Sequence, residues 1–242
     1  MVQCMLKVEL HSHTADDPTD RIPYTTKELI DRAAALGYDA LAVTLHDRQL
    51  DVRPLESYAM KRGIVLIPGI ERTVEGRHVL LLNFASGAED VQTFDDLRRL
   101  KANGSGLVIA PHPFFPAGMS LLWCMNTYAD LFDAVEYNAM FTSSLNFNRL
   151  AERWARRHGK PMVGNGDVHR LEQFGSTYSL VDLHPGAEPN PSAICGAIAA
   201  GRVTVVSQPL SWAAAARVMG SLYWSKYFDG FSRSAQPSEV PA

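Results

Sequence analysis

Two hydrophobic periods alternate along this chain of 242 residues. Short, nearly continuous apolar runs read as strands: LKVEL (6–10), ALAVTL (40–45), GIVLIPGI (63–70), HVLLLNF (78–84), GLVIAP (106–111), DAVEYN (133–138) and KPMVGN (160–165), with VTVVS (203–207) as an eighth. Between them, apolar positions recur at helical spacing. TTKELIDRAAALGY opens on a Thr cap with Glu28 early and stops at Gly37. LESYAMKRG and TFDDLRRLKANG end in basic residues and a glycine, NFNRLAERWARRHGK follows the same rule, and PSAICGAIAAG starts on Pro191.

Strands alternating with helices imply βαβ units and a parallel sheet, and seven or eight of them in one domain imply a closed or distorted α/β barrel. A dinucleotide-binding fold is disfavoured, because no G-x-G-x-x-G follows the first strand. One connection breaks the rule. Between Glu71 and His78 there is room only for the turn TVEGR, so those strands are expected to pair as a hairpin. The barrel is expected to occupy residues 1–207. Residues 208–230, aromatic and Ala-rich, are expected to form a helical extension packed on the barrel or on a partner, and residues 231–242 to be a disordered tail.

Composition narrows the setting. Lys and Arg number 23 against 26 Asp and Glu, a net charge of -3 that gives no reason to expect a nucleic-acid partner. The three cysteines form no C-x-x-C pair, which suits a reducing compartment. With neither a secretory apolar segment at the start nor a run long enough to span a bilayer, a cytoplasmic protein without a membrane span is expected; a homo-oligomer remains open.

The chemistry lies at strand ends. His11 and His13 follow the first strand, His46 and Asp47 the second, Glu71 the third, His112 the fifth, and Asp167 and His169 the seventh. In a barrel the C-terminal strand ends converge on one face, so residues far apart in sequence meet there. Residues i and i+2 of an extended segment share a side, so His11-x-His13 can offer two imidazoles to one ion, and Asp167-x-His169 a carboxylate and an imidazole. A single such pair is weak, since a lone histidine at a strand end is usually an ordinary hydrogen-bonded residue. Six of the eight histidines at strand boundaries, interleaved with Asp and Glu, point to a metal site.

The segments VELHSHTADD (8–17), AVTLHD (42–47), PGIE (68–71), VIAPHP (108–113) and GNGDVH (164–169), in this order, resemble the PHP family, named for polymerase and histidinol phosphatase. The resemblance implies an α/β fold, a distorted (β/α)7 barrel of the PHP/amidohydrolase type, with two or three divalent metal ions (Zn, Mn or Fe). It places one ion on His11, His13, Glu71 and Asp167, and a second on Glu71, His78 and His112. A third falls to His46, His169 and an acid of the first loop, for which Asp17 is the choice and Asp16 or Asp20 the substitutes. Three departures from the family pattern are visible: TADDPTD after H-x-H, Leu45 before His46, and Gly166 and Val168 around Asp167.

The expected enzyme is therefore a metal-dependent phosphoric ester hydrolase acting on a small phosphate ester by attack of metal-bound hydroxide, with Asp167, His169 and Glu71 catalytic and Arg170 and Arg48 binding phosphate. Two rivals stand beside it: hydrolysis of a C–N or C–O bond on the same scaffold, and a non-catalytic metal-stabilised binding module. A phosphate-binding arginine in the pocket would favour the phosphoesterase, and an apolar pocket without cations the other hydrolase. Loops around residues 14–26, 114–127 and 139–148 are expected to shape that pocket.

Overall fold

A computed structural model describes the backbone of residues 4–228 and the side chains of residues 5–220; the expected disordered tail, 231–242, lies outside them. The strands are β1 (Cys4–Glu9), β2 (Ala40–His46), β3 (Val65–Val74), β4 (Arg77–Leu82), β5 (Leu107–Ala110), β6 (Ala134–Asn138), β7 (Met162–Asn165), β8 (Thr177–Leu183) and β9 (Val203–Ser207). The helices are α1 (Thr26–Ala35), α2 (Arg53–Met60), α3 (Phe94–Asn103), α4 (Cys124–Thr127), α5 (Asn148–His158), α6 (Pro191–Ala199) and α7 (Trp212–Phe228). Capping boxes start two of them, Thr25 with Glu28 at α1 and Thr93 with Asp96 at α3.

All nine strands form one sheet in the order β7-β6-β5-β4-β3-β2-β1-β8-β9. Pairing is parallel for β1–β2, β2–β3, β5–β6 and β6–β7, and antiparallel on both sides of β4 and of β8. Seven strands thus share one direction and two are reversed, which is the sense in which this is a distorted (β/α)7 barrel. The sheet curls until its two ends touch. Ser179 of β8 closes the seam, donating to the Gly164 carbonyl at 3.1 Å and accepting from its N–H at 2.8 Å. A Cβ at Gly164 would stand 2.6 Å from the Tyr178 carbonyl oxygen, so only glycine permits this approach.

The short Glu71–His78 connection is a hairpin: Val74 pairs with Arg77 across a two-residue turn in which Glu75 (φ 47°) and Gly76 (φ 76°) are both left-handed. It lengthens β3 beyond the expected end at Ile70 and takes Glu71 into the strand. Strand β8 was not anticipated. Its burial alternates along TYSLVDL, and its Ser and Asp broke the apolar run that marked the others.

Alternate residues of each strand face the barrel interior, where Val8, Ile67, Leu80, Ile109, Val163 and Val181 pack with Ile194 and Ile198 of α6. The opposite faces pack beneath the outer helices, α1 and α2 on one side, α3 and α5 on the other. Followed toward the C-terminal end, the inward rows change character. Ala40-Ala42-Thr44-His46, Ile67-Gly69-Glu71, Ala134-Glu136-Asn138 and Val163-Asn165-Asp167 each run from apolar to ligating or hydrogen-bonding. A two-residue period therefore builds a dry core and a polar mouth from the same strands.

Candidate metal centre and substrate cavity

Glu71 stands at the middle of that mouth, 1% exposed. Its Oε2 lies 3.3 Å from His11 Nε2, 3.4 Å from His13 Nε2 and 3.2 Å from His46 Nε2. Its Oε1 lies 2.7 Å from His78 Nδ1 and 3.2 Å from His112 Nε2. Because β4 is reversed, His78 begins its strand at the mouth instead of the opposite end, as the hairpin required. Asp167 Oδ1 is the second hub, 3.5 Å from His11 Nε2, 3.7 Å from His13 Nε2 and 3.4 Å from His169 Nδ1. All six histidines at the expected strand boundaries, with Glu71 and Asp167, are brought together.

A further layer of carboxylates aims the rings. Glu136 Oε1 accepts from His11 Nδ1 at 2.9 Å, and Asp17 Oδ2 accepts from His13 Nδ1 and His46 Nδ1, each at 3.0 Å. A proton held on Nδ1 leaves the Nε2 lone pair directed inward, the usual arrangement behind metal-ligating histidines. His11 Nε2 and His13 Nε2 are buried with no hydrogen-bond partner. Leaving a buried polar atom unpaired costs about 1–3 kcal/mol, so two such atoms pointing at one carboxylate-lined space fit a bound cation. Four triads among the described residues have ligand atoms mutually within 4.8 Å: His13–His46–His169, His11–His13–Asp167, His11–Glu71–His112 and His46–Glu71–His78. Nitrogen and carboxylate donors of this kind suit Zn, Mn or Fe.

Asp17 does not take the place expected of it. Its Oδ2 accepts from both rings and from the His46 N–H, and its Oδ1 from the N–H groups of Thr19 and Asp20, so its lone pairs are occupied. It stands behind the rings of His13 and His46 instead. The substitute Asp20 stands beside His169, with Oδ2 3.1 Å from Nε2, while Asp16 is engaged by Thr14 and Thr26. Glu136 and Asn138, which donates to Asp167 Oδ2 at 3.2 Å, were missed in the sequence. Their signal was available: both fall on the inward row of DAVEYN, where an apolar residue would be expected.

The electrostatics are those of a cluster that exchanges protons for ions. Burial would raise Glu71, but the neighbouring His11 and His78 hold it well below the usual range. Asp167 is likewise lowered, by His11, His13 and His169 against its burial. Burial opposes a charge on His169, yet hydrogen bonds to Asp167 and Asp20 push it up to about 10. Against their burial, His11 is raised by Asp167, Glu71 and Glu136, His46 by Asp17 and Glu71, and His112 by Glu71 and Asp167, whereas burial together with His169 and His46 lowers His13. Three non-glycine residues around the mouth, Asp47, His112 and Asp167, have positive φ (53°, 28° and 48°), a local cost of the kind found where side-chain placement is imposed by function.

Above the cluster opens a cavity of about 680 Å³. His46, Glu71, His78, His112, Asp167 and His169 form its floor. Phe115 and Met119 come from one loop, Met140, Phe141, Leu145 and Phe147 from another, and Trp212, Ala215, Ala216 and Met219 from α7. Two of the three expected loops therefore shape it. Among the described residues no Lys or Arg lines it. Arg48 is exposed and Arg170 half-buried, both outside the lining, and Arg72 is held by Asp47 at 2.9 Å. Cations gather elsewhere: Arg149, Arg153, Arg156 and Lys160, at helical spacing along α5 and its end, line a separate surface groove with one acid, Glu152.

The family model described as PHP-associated matches residues 146–203. No curated protein matches this chain in sequence. Solved structures do. A two-domain protein from Bacteroides vulgatus containing a predicted PHP-like metal-dependent phosphoesterase aligns with TM-score 0.65 and 19% identity, over 85% of this chain and 66% of that one. The fold is the PHP-type barrel. The same barrel aligns with PsfC from Pseudomonas syringae, at TM-score 0.64 and 19% identity, over 90% of this chain and 97% of that one. Endonuclease Q from Pyrococcus furiosus, a lesion-specific endonuclease, aligns at TM-score 0.57 and 14% identity, over 98% and 73%. A further Endonuclease Q structure, in complex with a 27-mer duplex carrying an abasic lesion at the active site, aligns at TM-score 0.58 and 14% identity, over 99% and 74%. These last two correct the sequence-based dismissal of nucleic acid. The fold of this chain is shared by a DNA-cutting enzyme, and overall charge is blind to a local stripe such as that on α5. No described helix is long and apolar enough to cross a membrane.

Proposed function

We propose that this chain is a metal-dependent hydrolase of phosphate esters. The observation that carries the reading is the pair of buried, unpartnered nitrogens, His11 Nε2 and His13 Nε2, facing Glu71 and Asp167 at the mouth of a PHP-type barrel. One ion would be held by His11, His13, Glu71 and Asp167, a second by Glu71, His78 and His112, and a third by His46, His169 and Asp20. Bound divalent ions supply a lowered water pKa and positive charge against the phosphoryl oxygens.

The chain's own groups do the rest. Glu136 and Asp17 fix the tautomers of His11, His13 and His46. Glu71 reaches five imidazoles through its two oxygens and would be common to the first two ion sites. Asp167, a floor carboxylate steadied by Asn138, would receive the proton of the attacking water. The water oxygen bonds to phosphorus, the ester P–O bond breaks, and the departing alkoxide leaves as the alcohol by taking up the proton that Asp167 received.

A second reading is favoured by one observation: among the described residues the lining carries no Lys or Arg, so a carbonyl substrate with a C–N or C–O scissile bond suits the cavity. Metal analysis of protein purified without chelator, followed by a hydrolysis panel of sugar phosphates, alkyl and aryl phosphates, oligonucleotides, amides and carboxylate esters, separates the readings. Phosphate release from monoesters or cleavage of the oligonucleotide supports the first. Full metal content with turnover of amides or carboxylate esters alone supports the second. Metal content near zero, unrestored by Mn, Zn or Fe, overturns both.

A further inference from the structure

We infer that the substrate carries a bulky apolar group, aromatic or branched, next to the bond that is cut, and that α7 forms one side of the pocket for it. The inference rests on the hydrolase reading for the floor but not on which bond is cleaved there. Apart from its ligating floor, the cavity is walled among the described residues by aromatic, methionine, leucine, proline and alanine side chains, with Thr142 and Asn138 as the polar neighbours. A sugar, a polyphosphate or a glycerol headgroup would leave its hydroxyls and charges facing carbon there, and each unpaired group costs binding. A ring or branched chain would replace water against Phe115, Phe147 and Trp212.

Helix α7 supplies the second observation. Trp212 is 61% exposed and Met219 57% exposed, yet both line the cavity. Large apolar side chains left half in water at the rim of a concave site have surface still to bury, and an apolar occupant would bury it. The polar floor and apolar wall divide the work: the scissile group lies on the histidines, and its substituent lies under Trp212 and Met219.

Benzyl phosphate and glycerol phosphate test this, since both release an unactivated alcohol and differ chiefly in the apolar ring. The expected kcat/KM favours benzyl phosphate by about 10- to 100-fold, the usual discrimination of a hydrophobic pocket. Trp212→Ala and Met219→Gln should each lower that ratio several-fold while metal content stays as in the parent protein. Equal or better use of glycerol phosphate, or of an oligonucleotide over benzyl phosphate, overturns the inference and leaves the phosphoester reading standing. If metal-loaded protein neither releases phosphate nor cleaves the oligonucleotide, the phosphoester reading fails, and the wall is then read by binding. Benzylphosphonate should bind at least 10-fold more tightly than 2-hydroxyethylphosphonate, and equal dissociation constants overturn the inference.

Discussion

The floor of the cavity and its walls reach the same space by different routes. The floor comes from the inward rows and ends of β1, β2, β3, β5 and β7 and from the start of the reversed β4, and its histidines and carboxylates face one another within about 4 Å. The walls come from the connections after β5 and β6 and from α7; backbone hydrogen bonds hold these segments, as from the His78 N–H to the Met119 carbonyl and from the Leu210 N–H to the Phe141 carbonyl, but the side chains they present to the cavity are mostly apolar. The floor is held by directional bonds in low dielectric, where loss of one partner strands another. The walls are held by contact area, which tolerates replacement by other apolar groups. Changes to the floor should therefore be all-or-none in chemistry, and changes to the walls graded in selectivity.

The largest effect is expected at the floor. His11→Ala removes a nitrogen that faces both Glu71 and Asp167 and leaves Glu136 without its ring partner. Metal content should fall by at least one ion per chain, and kcat/KM by about three orders of magnitude, as when other single catalytic groups are lost. Parent-like metal content and turnover would refute its role. One layer back, Glu136→Gln keeps the shape but offers His11 Nδ1 a neutral partner. Metal affinity, read by competition with a chromogenic chelator, should weaken about 10- to 100-fold. An unchanged affinity would mean that the Glu136 carboxylate does not tune the ring.

This contrast also explains what could be read from the sequence. His11, His13, His46, Glu71, His112, Asp167 and His169 were legible because a strand end is a fixed address, and a barrel brings all such addresses to one face. His78 was legible only through the shortness of its turn. Asp17 was assigned to the centre, but its loop turns the carboxylate behind two rings, and nothing in TADDPTD encodes which of three acids does so. Glu136 was hidden because an acid within a strand run reads as a solvent-facing position unless the inward row is known. The walls were legible only as loop positions, since their side chains meet through tertiary packing without a sequence period. Arg48 and Arg170 were chosen by adjacency to ligands, and adjacency along the chain does not place a long side chain in a cavity.

A smaller effect is expected at the wall. Phe147→Ala removes a ring that packs on Phe115, with centroids 5.6 Å apart, and touches no ligand. KM for an apolar ester should rise about 10-fold with little change in kcat, because the ring's contact is the same in ground and transition states. Metal content should not change. A fall in kcat equal to that in kcat/KM would place the ring in the transition state and erase the division between floor and wall.

The finest test is pH, because the floor titrates and the wall does not. In metal-free protein, His169 (about 10), His11, His46 and His112 have raised pKa values, so their stabilising contribution is complete below the ordinary imidazole pKa of about 6.5 and is lost as pH rises toward 10. Glu71 and Asp167 are lowered, so theirs is complete above the ordinary carboxylate pKa of about 4 and is lost only in stronger acid. His13, lowered by burial, works weakly against the other histidines. The melting temperature of chelator-treated protein should therefore decline from pH 6 to pH 9. Imidazoles must shed protons to ligate, so the increment added by Mn should grow over the same interval. Parallel pH slopes with and without Mn would show that the histidines are not the ligands. The benzyl-to-glycerol selectivity ratio should meanwhile stay flat across that interval, since no titrating side chain stands among the wall residues Phe115, Phe147, Trp212 and Met219.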